Sequence, residues 1–125
     1  MPRFALLEHT GAPDDPAGRH FDLLLETAGA CRTWRLYDVP RADAGPVAAL
    51  ELPAHRLAWL ERLEGAVSGG RGFARRVDAG SYETLAADAA LISEATTLVI
   101  AVDGAMLIGR LKLETVGEGW AATLG

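Results

Sequence analysis

The chain has 125 residues, half of them hydrophobic, and a formal net charge of −5. That size suits one domain with a real core and is too small for two. The negative balance argues against broad, sequence-independent attraction to duplex nucleic acid, which depends on clustered Lys and Arg. The longest apolar run, Leu98 to Val102, falls far short of the roughly 20 residues that span a bilayer, so no membrane partner is expected.

The N-terminus reaches the charge of Glu8 before a signal-peptide core is complete, which reads as a cytoplasmic protein. Phe4 to His9 reads as a first strand, and the Pro, Asp and Gly residues of positions 11 to 18 make a loop. In the next segment Phe21, Leu23 and Leu25 alternate with His20, Asp22, Leu24 and Glu26, the pattern of a strand. Cys31 to Tyr37 is a third strand and Val47 to Leu52 a fourth. Cys31 is the only cysteine, so no intrachain disulfide forms, and a buried small side chain is expected.

Leu57, Leu60 and Leu63 recur at helical spacing and predict a short helix or helical turn within His55 to Glu64, closed by Gly65. Phe73 to Asp78 and Ser81 to Thr84 read as short strands on either side of Ala79-Gly80. The Ala-rich stretch Leu85 to Glu94 predicts a short helix. Thr96 to Val102 and Ala105 to Glu114 flank Asp103-Gly104, a dipeptide suited to a type I′ hairpin turn. Trp120 to Leu124 adds a closing strand. Residues 1–125 are therefore expected to form one mainly β domain, a small antiparallel β-barrel or sandwich with one or two short helices.

Residues i and i+2 of a strand share a face about 7 Å apart, within reach of a common ion. His20 and Asp22 form such a pair, and His9 at the end of the preceding strand is the natural third ligand. Two imidazoles and a carboxylate commonly hold a divalent metal with coordination positions left open. The plain alternative is that His20 and Asp22 hydrogen-bond on a solvated sheet face.

The run His9…His20-Phe21-Asp22…Trp34…Pro40…His55…Glu64-Gly65…Gly70…Gly72…Val77-Asp78-Ala79-Gly80-Ser81-Tyr82-Glu83, followed by Asp103-Gly104, Gly109-Arg110 and Trp120, resembles the 3′-phosphoesterase domain of bacterial DNA ligase D. The resemblance spans nearly the whole chain. It implies a small β-barrel hydrolase of DNA repair whose manganese site removes a terminal ribonucleoside and then a 3′-phosphate from DNA ends. It further implies metal ligands at His9, His20 and Asp22, with manganese the expected ion and zinc a second choice. His55 matches the residue that contacts the phosphate or aids proton transfer. DNA 3′ ends and DNA-repair proteins are the implied partners.

The chain also departs from that pattern. Leu24 stands where the family has a phosphate-clamping Arg, Asp38 falls near its Lys, Val47 near a second Arg, and Trp59 replaces a Tyr. Phosphoryl transfer needs cations against the equatorial oxygens, and one lost donor costs roughly 10² to 10³ in rate. Arg35, Arg56, Arg71, Arg75 and Arg76 are available to compensate. The glycine-flanked Arg71 and the nearby Arg75 are candidate phosphate-binding residues, with an ordinary hairpin of solvated arginines as the alternative. Two readings therefore stand: a metal-dependent phosphoesterase-like protein, or a catalytically impaired relative serving as a metal-stabilised binding or accessory module.

Overall fold

The computed structural model describes residues 1–125 and contains nine strands in one sheet. These are β1 (Arg3–Thr10), β2 (Arg19–Glu26), β3 (Cys31–Leu36), β4 (Val47–His55), β5 (Glu64–Ala66), β6 (Phe73–Ala87), β7 (Thr97–Gly104), β8 (Ile108–Val116) and β9 (Gly119–Leu124). The order β1-β2-β3-β4-β9-β8-β7-β6 closes through a β1–β6 pairing into an antiparallel barrel, with β5 added beside β6. No helix is long and apolar enough to cross a membrane.

The alternation read in the sequence sorts side chains between the two faces of the wall. Phe4 and Leu6 of β1, Phe21, Leu23 and Leu25 of β2, and Trp34 and Leu36 of β3 join Leu98, Ile100, Leu111 and Leu113 in one interior core. The opposite face of β1 and β2 is buried too: Ala5, Leu7, Leu24, Cys31 and Leu60 form a second apolar cluster outside the barrel. Leu60 belongs to a 3-10 turn, Leu57–Glu61, that folds back over this wall. The helical turn expected there is present but shorter than its apolar spacing suggested, since His55 ends β4 and Glu64 starts β5. Cys31 is buried and free, as expected.

Three local expectations are corrected. The helix expected over Leu85 to Glu94 does not form: β6 runs on through Ala87, with Ala86 opposite Val99 and Ala87 opposite Leu98, and only a 3-10 turn, Ile92–Glu94, follows. Ten residues of good propensity make a marginal helix at best, and a strand edge already laid down by β7 offers the same backbone its hydrogen bonds. The two short strands around Ala79-Gly80 are one strand. Gly80 lies inside it because a Cβ there would sit 2.0 Å from the Asp103 carbonyl oxygen.

Asp103-Gly104 is not a type I′ turn. Asp103 still pairs with Ile108, and neither residue has a positive φ. The turn is the longer loop Gly104 to Leu107, organised by Asp78 of β6. The buried Asp78 carboxylate accepts N–H bonds from Ala105 (2.9 Å), Met106 (3.1 Å) and Leu107 (2.6 Å), as well as from Ala79 (2.9 Å). A Cβ on Gly104 would meet that carboxylate at 2.4 Å and the Phe4 ring at 2.7 Å.

Candidate metal centre

On the outer face of the wall the β1–β2 register sets His9 directly opposite His20 and Leu7 opposite Asp22. The β2–β3 register adds Arg35 opposite Asp22. His9, His20 and Asp22 therefore meet on one face, with one ligand atom of each within 4.8 Å of the others. Asp22 Oδ2 lies 3.5 Å from His9 Nδ1, and Asp22 Oδ1 lies 3.4 Å from His20 Nε2.

The far side of each imidazole is held. His20 Nδ1 is 2.8 Å from the Asp15 carboxylate and His9 Nε2 is 2.6 Å from the Arg71 carbonyl oxygen. Both partners accept only, so those nitrogens carry N–H groups, and in the neutral imidazoles the lone pairs of His20 Nε2 and His9 Nδ1 face Asp22. A carboxylate or carbonyl behind a histidine is the usual way a metal ligand is oriented.

Two buried atoms, His20 Nε2 and Asp22 Oδ1, have no hydrogen-bond partner. Such orphans are rare in folded proteins and need a reason. The donor set of two imidazoles and one carboxylate fits a divalent ion, and an ion among these atoms would satisfy both orphans. Without an ion, attraction between the Asp22 carboxylate and protonated imidazole takes its place, so a bound ion would compete with a proton at His9. Burial pushes the Asp22 carboxyl up, but the two imidazoles outweigh it and bring it down to about 2. The Asp22 contact raises His9 above its ordinary value, against burial and the nearby Arg35 charge. The His20 contact holds Asp15 below the usual carboxylate range.

Asp15 was not singled out in the sequence. Its signal was only an Asp pair in a Pro and Gly loop, and nothing local says which strand that loop covers. Asp15→Asn is expected to weaken binding of a divalent ion by about 10- to 100-fold while the three ligands remain, measured by calorimetric titration of the metal-free protein.

The group opens into a cleft of about 730 Å³ whose walls include His55, Trp59, Arg35, Arg56, Arg62 and Arg71. His55 is on this wall. Its Nδ1 bonds the Pro53 carbonyl oxygen at 3.0 Å and its ring packs edge-on against Trp59 at 5.6 Å. Arg71 also lines the cleft, its guanidinium bonded to the Ser68 carbonyl oxygen at 2.6 Å.

Arg75 does not come to the cleft, which corrects its candidacy. It pairs with Glu8 across the β1–β6 register, on the face opposite His9, and bonds Glu8 Oε1 at 3.1 Å. Arg62, which the sequence did not single out, lines the cleft, and so does Arg35, opposite Asp22 on the neighbouring strand.

The departures also find their places. Leu24 is fully buried in the outer apolar cluster beneath the 57–61 turn, where a guanidinium would be desolvated without a partner. Asp38 caps the Val39 amide at 2.8 Å and pairs with Arg41, while Val47 pairs with Ala122 of β9. Neither lines the cleft.

Fold and site define the class of the molecule: a small closed β-barrel with a carboxylate and two imidazoles converging on its outer wall. No family model matches the chain and no curated protein matches it.

Proposed function

We propose that the protein is a divalent-metal-dependent phosphoesterase-like enzyme, with 3′-phosphate or 3′-ribonucleotide ends of DNA as its substrate class and manganese, or else zinc, as its ion. The reading rests above all on the convergence of His9, His20 and Asp22, with two buried ligand atoms unpartnered, at the floor of a cleft bearing four arginines. A bound ion supplies positive charge to a phosphoryl oxygen. Arg35, Arg56 and Arg71 offer guanidinium N–H groups to the remaining oxygens. His55 keeps Nε2 free to hold or move a proton, because its Nδ1 is committed to Pro53.

In this reading the chain is a distant relative of the phosphoesterase domain of DNA ligase D, whose phosphate-contacting cations have moved to other positions on the wall. Cellular DNA ends and repair proteins are its proposed partners, in the cytoplasm. The test is phosphate release from a 3′-phosphate-terminated primer with added manganese. Release is expected from the native protein, with a loss of about 10²- to 10³-fold in His55→Ala.

A second reading, a metal-stabilised binding or accessory module, is favoured by the engagement of three cleft arginines with the wall itself: Arg35 with Asp14, Arg62 with the Ala66 carbonyl oxygen, and Arg71 with Ser68. A primer that keeps its phosphate in the presence of metal-loaded protein would decide for the module.

A further inference from the structure

We propose that Arg35 is the oxyanion-binding residue of this centre and that Asp14 is its built-in competitor, so that a phosphate group gains the guanidinium by displacing the Asp14 carboxylate. The inference deepens the phosphoesterase reading and rests on it for the identity of the anion.

Arg35 projects from β3 onto the face that carries Asp22, and its side chain is only 9% exposed although it lines the cleft. A desolvated guanidinium is costly unless its N–H groups are used. Its Nε is buried with no partner at all. The only acid bonded to it is Asp14, and both Asp14 oxygens crowd onto one nitrogen, Nη2, at 3.3 and 3.1 Å. That is not the paired fork by which Arg grips an oxyanion, in which two nitrogens meet two oxygens. A buried donor is thus left over in a pair that an incoming tetrahedral anion could complete.

Asp14 is suited to give way. Its side chain is 71% exposed, whereas that of its neighbour Asp15 is 2% exposed and fixed on His20. An ion pair with one solvated partner contributes little and is readily exchanged. The two adjacent aspartates therefore divide the work of the 11–18 loop: Asp15 anchors the loop on the metal centre, and Asp14 occupies the guanidinium until an anion arrives. The anion class follows from the neighbours, since a group lying between the Asp22 cluster and Arg35 meets positive charge from Arg56, Arg62 and Arg71 along the same wall, to which an ion held by the cluster would add.

The test is calorimetric titration of inorganic phosphate into the metal-free and the zinc-loaded protein, for the native chain, Arg35→Ala, Arg35→Lys, Asp14→Asn and Asp43→Asn. Zinc stoichiometry is measured on each. Phosphate affinity is expected to fall about 10-fold or more in Arg35→Ala and less in Arg35→Lys, and to rise about 5-fold in Asp14→Asn. Asp43→Asn, which removes a surface charge from a different loop, is expected to leave it unchanged. Unaltered phosphate affinity in Arg35→Ala overturns the proposal, as does a gain in Asp43→Asn equal to that in Asp14→Asn, which would assign the effect to net charge. Failure of zinc to bind, with the Arg35 dependence intact in the metal-free protein, sinks the metal reading and leaves this one standing.

Discussion

Titration of the metal-free protein with manganese or zinc is expected to show one ion per chain, and Asp22→Asn is expected to weaken that binding by more than about 100-fold. The magnitude follows from position: removing a group behind a ligand typically costs about 10- to 100-fold, and Asp22 is itself a ligand, the one that touches both imidazoles. Asn keeps the shape of the side chain but not its charge, so the loss reads the carboxylate and not a cavity. His20→Ala removes a ligand as well, but it also strands the buried Asp15 carboxylate, which makes Asp22→Asn the cleaner variant.

Binding should also be visible as stability. An ion at about 100 times its Kd adds about 2.7 kcal/mol to the native state. The Tm of the native protein should therefore climb with added ion, and that of Asp22→Asn should not. Equal affinity in the two proteins would remove the centre from His9, His20 and Asp22.

The second large effect concerns the barrel and not the cleft. Asp78→Ala is expected to cost about 3 to 4 kcal/mol of folding stability, because three amides of the β7–β8 loop lose a charged acceptor at once. For a domain of this length that corresponds to a fall in Tm of about 10 °C or more. Water can reach part of the loop, since Met106 is exposed, but Leu107 is fully buried and its amide cannot be rescued in place. Asp78→Asn turns one accepting oxygen into a donor that faces N–H groups, so it should lose about half as much or more. Urea unfolding measures both. A change below about 1 kcal/mol in Asp78→Ala would mean that the loop holds itself.

These two residues mark different limits of reading a chain without its fold. Asp22 was legible: alternation along His20-Phe21-Asp22 is a property of one strand, and one strand is enough to put its two polar side chains on a common face. Asp78 was visible only as part of a resemblance, and its partners lie 27 to 29 residues away. The hairpin signal of Asp103-Gly104 misled for the same reason. Gly104 serves the approach of Asp78 and Phe4, and that approach exists only once β6 has been laid beside β1 and β7.

The sequence by itself determined a mainly β fold, seven of the nine strands as separate segments, the same-face pairing of His20 with Asp22 and the burial of Cys31. Each follows from short-range periodicity, composition or local turn chemistry. Tertiary structure alone decided that the Ala-rich stretch after Thr84 would begin as strand, since cross-strand bonds to β7 outweigh a marginal helical preference. It alone decided which arginines serve the cleft. Arg35 and Arg75 look equivalent in the chain, but barrel closure turns one toward Asp22 and the other toward Glu8. Aspartates 14 and 15, two ordinary loop residues by sequence, acquire their partners only when the loop folds over β2 and β3. The physical reason is common to all of these: a side chain's face is set by its own strand, but its partner is set by register with a strand that the local sequence does not name.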